Sequence, residues 1–247
     1  MLELKNICFS AVDENDGSEK QILKDISLKI EDGFVAVTGP NGGGKSTLAK
    51  IIAGIIRPTS GQILLDGEDI TNLSITERAR KGISFAFQQP VRFKGITVND
   101  LIRLSAGRDI SINDACDYLS QVGLCARDYI NREINASLSG GELKRIEIAS
   151  ILARGTSVSI FDEPEAGIDL WSFNNLIKVF ERLHSRLGGS IIIISHQERI
   201  LNIADKVVVI AAGQLKAYGP KSEILPELLG ASAAACKVLT DNMEVTE

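Results

Sequence analysis

The sequence contains, at residues 39–47, the stretch Gly39-Pro40-Asn41-Gly42-Gly43-Gly44-Lys45-Ser46-Thr47. It fits the pattern G-x-x-x-x-G-K-S, whose backbone curls around the phosphates of a nucleotide. An apolar run at 34–38 precedes it, and an apolar helical pattern at 48–53 follows it. This context predicts a buried strand, a glycine-rich turn and a helix, and therefore a chain that binds a nucleoside triphosphate.

The residue types of this loop suit contact with phosphate. Glycine has no Cβ, so the backbone N–H groups can turn inward around an anion. The helix that begins near Lys45 also points its positive dipole end at the same place. Lys45 is expected to reach the β- and γ-phosphates, and Ser46 to ligate Mg²⁺. The expected nucleotide contacts are Gly39, Asn41, Gly42, Gly44, Lys45, Ser46 and Thr47.

Composition limits the remaining possibilities. The chain has 247 residues and a net charge of −5, with acidic and basic residues interspersed. The sequence has no basic stripe of the kind that binds nucleic acid, and no polybasic patch of the kind that binds a membrane surface. Neither kind of partner is therefore predicted. The longest apolar runs are strand-sized, and the N-terminus lacks the apolar core of a signal peptide. Four scattered cysteines fit idle thiols in a reducing compartment. We expect a soluble cytoplasmic protein.

Strand and helix patterns alternate along most of the chain. Residues 2–9 and 22–30 alternate apolar and polar positions, which predicts antiparallel strands with one solvated face. Buried strands are predicted at 34–38, 83–87, 157–161, 190–194 and 207–210, with an edge hairpin at 214–218. Residues from about 91 to 149 show only helical patterns. We predict an α/β core with an antiparallel β-subdomain and an inserted helical subdomain.

Polar side chains follow three of the predicted core strands. Asp162 and Glu163 end the strand at 157–161, His196 follows the strand at 190–194, and Gln88 follows the strand at 83–87. Ligands of open α/β sheets bind at the carboxyl ends of the strands. We therefore expect Asp162 to hold Mg²⁺ and Glu163 to polarise the attacking water. His196 is expected to contact the γ-phosphate or Glu163, although a structural histidine is the alternative.

Gln88 is the weakest of these candidates, since a glutamine that leaves a strand means little alone. Beside a phosphate-binding loop it is a candidate ligand of Mg²⁺ or of the attacking water. The second histidine, His184, falls within a predicted helix, and we expect it to be a surface residue.

The segment Leu138-Ser139-Gly140-Gly141-Glu142 opens a long predicted helix. Ser139 and Glu142 have the spacing of a capping box, which is one sufficient explanation for both. The paired glycines add bare N–H groups at a helix N-terminus, which suits an anion. Ser139 and Gly141 are thus candidates for a second phosphate contact. Two half-sites on one chain predict a head-to-tail homodimer with ATP buried between the subunits.

Together these features resemble the ATP-binding cassette family, over residues 1–230. The resemblance implies a single ATPase domain, with a RecA-like core and the helical subdomain at about 91–149, and leaves 231–247 as a C-terminal tail. It implies that Glu163, His196 and Gln88 are catalytic. It also implies that Ser46, Gln88 and Asp162 surround Mg²⁺, and that residues 166–169 form the D-loop of the family.

Three segments, at 82–91, 163–169 and 195–201, are similar to the soluble ATPase of SUF-type iron–sulfur cluster assembly. This likeness implies a soluble scaffold protein as partner. The alternative is the ATP-binding subunit of a membrane transporter, with a permease as partner. Ala11 replaces the aromatic that the family uses to stack on adenine, so we expect loose base selectivity. Phe93, between Arg92 and Lys94, is expected either to fold back onto the insertion or to contact the partner.

Overall fold

The computed structural model describes residues 1–12, 17–135, 137–186, 189–228 and 230. Its strands are β1 (Leu2–Val12), β2 (Glu19–Ile30), β3 (Gly33–Thr38), β4 (Ser60–Leu65), β5 (Glu68–Asp69), β6 (Ile83–Ala86), β7 (Val158–Asp162), β8 (Ser190–Ile194), β9 (Lys206–Ala211) and β10 (Gln214–Pro220). Its helices are α1 (Lys45–Ala53), α2 (Ile75–Arg80), α3 (Val98–Ala106), α4 (Ile112–Gln121), α5 (Ala126–Tyr129), α6 (Gly140–Arg154), α7 (Leu170–Arg186) and α8 (Glu198–Ile203). A further helix covers 221–228.

The strands form two sheets. One has four strands in the order β2-β1-β4-β5, and its pairs are antiparallel. The other has six strands in the order β10-β9-β3-β8-β7-β6. Neighbours from β9 to β6 are parallel, and only the edge strand β10 pairs antiparallel, with β9. These two sheets confirm the predicted α/β class with a separate antiparallel part.

The parallel strands are apolar at successive positions because both faces of their sheet are covered. In β3, Phe34 and Ala36 pack into one core with the helices, whereas Val35 and Val37 pack into a second core with α1 and the antiparallel sheet. The isoleucines at 191–194 of β8 divide between the same two cores. A continuous apolar run, and not an alternating one, is what such a strand requires.

Helices α3 to α6 lie between β6 and β7 in the chain, where the sequence predicts the helical insertion. Capping boxes open three of them, at Thr97, Ser111 and Ser139. Residues 97–123 of the predicted insertion form two helices, α3 and α4, because Gly107 ends α3 with a φ of 62°. Helix α6 continues to Arg154, beyond the predicted end of the insertion, and its buried residues join the core of the parallel sheet. The assignment of 1–230 to one domain stays a prediction.

Several expectations fall outside the described residues. They are residues 13–16 between the first two predicted strands, the tail at 231–247 and Cys236. Within the described part of the chain, every helix is too short or too polar to cross a membrane.

Arg78 of α2 connects the C-terminus of α1 to the segment after β5. Its side chain is fully buried, and its Nη1 donates to the carbonyl oxygens of Ile51 and Ile52 at 2.6 and 2.8 Å. Its Nη2 donates to Thr71 O at 2.7 Å, and its Nε to Leu73 O at 3.2 Å. The last carbonyls of a helix lack partners inside the helix, and a cation there also suits the helix dipole. Arg78 therefore fixes the far end of the helix that begins at the phosphate-binding loop.

We predict that Arg78→Leu lowers the free energy of unfolding by about 3 kcal/mol or more, because it leaves buried carbonyl groups unpaired. The matched control is Arg80→Leu on the exposed side of the same helix, which should change stability by less than about 0.5 kcal/mol. Urea denaturation of both variants measures the difference. Equal unfolding midpoints would show that the Arg78 hydrogen bonds contribute no net stability.

Candidate functional site

The glycine-rich stretch forms a tight turn between β3 and α1. Gly39 has a φ of 131°, and a Cβ built there would lie 2.0 Å from the carbonyl oxygen of Ile210. Gly44, with a φ of 103°, caps α1, and a Cβ there would lie 2.6 Å from Leu23 Cδ2. Neither position can carry a side chain without moving its neighbours. The strand, turn and helix therefore adopt the arrangement that a phosphate-binding loop requires.

Lys45 lies at the start of α1 and is only 5 % exposed. Its Nζ donates to the carbonyl oxygens of Gly39 and Pro40, at 2.8 and 2.9 Å. Burial lowers the pKa of Lys45, while the nearby Glu163 and Asp162 carboxylates act in the opposite direction. The loop carbonyls thus hold the ammonium group at the centre of the turn, where it can meet a phosphate oxygen.

Ser46 and Asp162 join the loop to strand β7. Ser46 Oγ donates to Asp162 Oδ1 at 2.8 Å, and Asp162 is 5 % exposed. Burial raises the pKa of Asp162, although the Ser46 hydrogen bond opposes this rise. A hydroxyl and a carboxylate are ligands that Mg²⁺ prefers, so the donor set fits that ion. Among the described residues, no group of three His, Cys, Asp or Glu side chains could hold a metal alone, so phosphate and water ligands would have to complete the shell.

The three predicted catalytic residues come together at the end of β7. Gln88 Nε2 donates to Glu163 Oε2 at 2.7 Å, and His196 Nε2 lies 3.6 Å from Glu163 Oε1. Glu163 has a φ of 44°, in the left-handed region, and its N–H donates to Ile194 O of β8 at 3.0 Å. One carboxylate therefore touches side chains from two other strand ends. This is the geometry of a base that activates water beside a phosphate.

A cleft of about 680 Å³ opens over the loop. Its lining includes residues 41–47, Gln88 and Glu163, together with Lys20, Ile22 and Lys24 of the antiparallel sheet. Ser139 and Gly141 are not among the described residues that line it. The predicted site residues thus separate into two groups within one copy of the chain.

The segment at 138–142 is explained locally by helix capping and packing. Ser139 N donates to Glu142 Oε2 at 2.6 Å, and Glu142 N donates to Ser139 Oγ at 3.3 Å, which forms the capping box. A Cβ on Gly141 would lie 2.8 Å from Ser172 Cβ, so α6 and the start of α7 require a glycine where they meet. Both sequence interpretations of this segment therefore stay open: capping is satisfied, and the helix N-terminus is exposed at Ser139 and Gly140.

A second cavity, of about 330 Å³, lies beside Gln88. We call it the apolar groove; its lining includes Phe87, Pro90, Val91 and Phe93 of the segment around Gln88. Ile75 of α2, together with Leu101 and Ile134 of the helical part, lines the facing side. Phe93 N also donates to Ile134 O at 3.1 Å, so this loop does fold back onto the insertion while its ring lines the groove and stays 36 % exposed.

His184 is exposed, as the sequence predicts, but its ring also makes specific contacts. Its Nε2 lies 2.8 Å from Asp205 Oδ2, and Phe34 N donates to that same oxygen at 2.8 Å. Its ring also lies 5.8 Å from the ring of Phe34. His184 therefore ties α7 to β3 and to the start of β9. Sequence reasoning missed Asp205 because no local pattern links it to residues so far away in the chain.

These features define an ATPase of the phosphate-loop class: a nucleotide cleft, a magnesium-compatible pair and a carboxylate poised to act on water. The family model described as ABC transporter matches residues 23–166. An uncharacterised ABC transporter ATP-binding protein of Methanocaldococcus jannaschii is 40% identical over 83% of this chain and 85% of its own length. The chain therefore belongs to the ATP-binding cassette family, and it is an ATPase.

Other relatives have transporter names. The spermidine/putrescine import ATP-binding protein of Mesoplasma florum is 34% identical over 92% of this chain and 63% of its own length. A probable ATP-dependent transporter of Pyropia yezoensis is 33% identical over 89% of this chain and 91% of its own length. A dimeric ATP-binding cassette bound to ADP and phosphate has the same fold, with a TM-score of 0.79 at 24% identity over 90% of this chain and 99% of its own. None of these proteins supports the iron–sulfur assignment.

The residues that line the cleft determine how strongly it can select one nucleotide base over another. Ala11 pairs with Lys20, which lines the cleft, and opposed residues of two antiparallel strands face the same side. The described lining contains no aromatic side chain that could stack on a base, and Ile22 is an apolar contact in its place.

We therefore predict that GTP competes with ATP within about tenfold, or about 1.4 kcal/mol. Ala11→Tyr should raise the affinity for ATP by supplying a stacking ring, whereas Val12→Tyr, on the opposite face of the strand, should not. Competition binding of the two nucleotides measures this. A hundredfold preference of the unmodified chain for ATP would contradict the prediction.

Proposed function

We propose that the chain is the ATP-binding subunit of a membrane transporter and transmits ATP binding and hydrolysis to its permease through the apolar groove. The main support for the proposal is that one short segment, which begins at Phe87 and Gln88, reaches both the nucleotide cleft and the groove. Gln88 contacts Glu163 in the nucleotide cleft, and the residue before it and the residues after it line the groove. A partner seated there would sense any movement of Gln88. The transporter names of the relatives support a permease as that partner.

In this proposal the cleft residues divide the chemistry. The nucleotide contacts are Gly39, Asn41, Gly42, Gly44, Lys45, Ser46 and Thr47. Ser46, Asp162 and Gln88 would hold Mg²⁺, which when bound would supply positive charge beside the phosphates. Glu163 takes the proton of the attacking water. His196 contacts both the Glu163 carboxylate and the γ-phosphate and so fixes their relative positions.

A head-to-tail homodimer completes the site. Ser139 and Gly141 lie outside the cleft of their own copy, so a second copy would have to bring this helix N-terminus to the phosphates. The solved cassette with the same fold is described as dimeric. Trp171, the single tryptophan of the sequence, is 81 % exposed near the packed starts of α6 and α7 and can report such an assembly.

We predict that Glu163→Gln binds ATP but does not hydrolyse it, since an amide cannot accept the proton of water. With ATP and Mg²⁺ this variant should become dimeric in sedimentation, and the fluorescence of Trp171 should shift. Adding Ser139→Arg should abolish the dimer by placing a large charged side chain at the second contact. A Glu163→Gln protein that stays monomeric with bound ATP would contradict the dimer.

The matched control for Ser139→Arg is Ser111→Arg, which removes an equivalent capping box from α4. Each change should destabilise its helix by about 1 kcal/mol, but only the change at Ser139 should prevent dimerisation. If both variants lose the dimer equally, the effect arises from the cap and not from contact with nucleotide.

The groove is suited to an apolar segment of a partner. Ile75, Phe87, Val91 and Phe93 are 51 %, 42 %, 49 % and 36 % exposed, and together they border one cavity. Exposed apolar side chains that share one cavity are typical of interaction sites, whereas single ones are common on any surface. Attachment of a permease at this groove would place the chain at the cytoplasmic face of a membrane.

We predict that Phe93→Asp weakens binding of the partner at least about thirtyfold, or about 2 kcal/mol, while the Kd for ATP changes less than about twofold. Leu104→Asp is the control, since Leu104 is 70 % exposed on α3 but lies outside the described groove lining. The tagged full chain, purified from detergent-solubilised cells of its source, supplies the partner. Undiminished capture by a folded Phe93→Asp variant would place the docking surface elsewhere.

The second candidate function is the one predicted from the sequence, an ATPase that drives a soluble iron–sulfur scaffold. It is favoured by the resemblance at 82–91, 163–169 and 195–201, and the first two of these segments supply Phe87, Gln88 and Glu163. The same purification separates the two functions. A multi-span membrane protein in stoichiometric amount supports the transporter, whereas a soluble scaffold in its place supports cluster assembly.

A further inference from the structure

Glu165 lies two residues after Glu163 and contacts the loop that carries His196. Ser195 Oγ donates to Glu165 Oε1, and Gln197 N donates to Ser195 Oγ at 3.0 Å. Ser195 is fully buried, and its N–H donates to Val37 O of β3 at 3.1 Å. The residues on both sides of His196 are therefore connected to the carboxylate of Glu165 through one hydroxyl, and the backbone of His196 itself also hydrogen-bonds to Glu165.

Few other contacts hold this loop. Gln197 is the N-cap of α8 but makes no capping hydrogen bond with its side chain, and α8 is only six residues long. The His196 side chain is 38 % exposed, and its described ionic contact is the one to Glu163 at 3.6 Å. The position of His196 thus depends on the backbone at 195–197, and that backbone is held by the hydrogen bonds that Ser195 and Glu165 make with it.

Packing does not require a carboxylate at position 165. Glu165 Oε2 is buried and has no hydrogen-bond partner among the described residues. An unpaired buried polar atom costs about 1–3 kcal/mol. Burial accordingly raises the pKa of Glu165. A shorter neutral acceptor could pair with Ser195 without that cost, so stability alone does not explain the glutamate.

We propose that Glu165 is a positioning residue for ATP hydrolysis, which acts through Ser195 to hold His196 at its working distance from Glu163. This inference rests on the roles proposed above for His196 and Glu163. It makes the turn after β7 and the loop after β8 one unit, so that the catalytic glutamate and the histidine keep their relative positions. Glu165 itself touches neither nucleotide nor water in this scheme.

A double-mutant cycle tests the proposal on the full chain with Mg·ATP. Glu165→Ala and His196→Ala should each lower kcat at least about tenfold while KM for ATP changes less than about twofold. The double variant should be no slower than His196→Ala, because Glu165 acts only through the histidine. Glu165→Gln keeps an acceptor for Ser195 and should restore kcat to within about threefold of the unmodified chain. Glu198→Ala, an exposed carboxylate in the same region, is the control and should leave kcat unchanged.

The possible outcomes are distinct. An unchanged kcat for Glu165→Ala, with His196→Ala impaired, overturns this inference and leaves the proposed function intact. Losses that multiply in the double variant also overturn it, because they show that the two residues act independently. An unchanged kcat for His196→Ala contradicts the proposed role of the histidine itself. Should Glu165→Ala fail to fold, Ser195→Ala removes the hydroxyl that links Glu165 to residues 195 and 197, and the same cycle with His196→Ala decides.

Discussion

The parallel pairing of β3 with β8, and of β8 with β7, is the constraint on which the site depends. Because parallel strands end at the same edge, this order places the phosphate-binding loop, His196 and Asp162 together although they are far apart in the chain. The hydrogen bond from Ser46 to Asp162 then joins the first of these ends to the third. Without that order of strands, the same motifs would be three unrelated turns.

The fold, and the positions of the main candidate site residues at the strand ends, could be predicted because their causes are local. Backbone geometry requires glycine at positions 39 and 44. Continuous apolar runs indicate the buried strands, and capping pairs such as Ser139 and Glu142 indicate where helices begin. Arg78, the His184–Asp205 pair and the Glu165–Ser195 hydrogen bond could not be predicted. Each joins residues that only the tertiary structure brings together, and no spacing in the sequence marks them.

The partner is harder to predict than the chemistry for a related reason. ATP is the same molecule in every member of the family, so the residues around its phosphates follow one pattern. In our proposal the apolar groove binds a partner that differs between members, and Phe87, Val91 and Phe93 would recognise it only through their size and low polarity. The likeness of segments 82–91, 163–169 and 195–201 to one branch of the family favours a soluble scaffold, whereas the names of the relatives favour a transporter.

The left-handed backbone of Glu163 has a further consequence. A side chain at a φ of 44° raises the energy of the folded state by about 1–2 kcal/mol, and glycine would remove most of that cost. Selection for a more stable chain would therefore favour loss of the very carboxylate that we propose to activate water. Keeping glutamate there is a compromise in which the cassette gives up some resistance to unfolding in order to turn over ATP. A thermostabilised descendant of this chain should be checked at this position first.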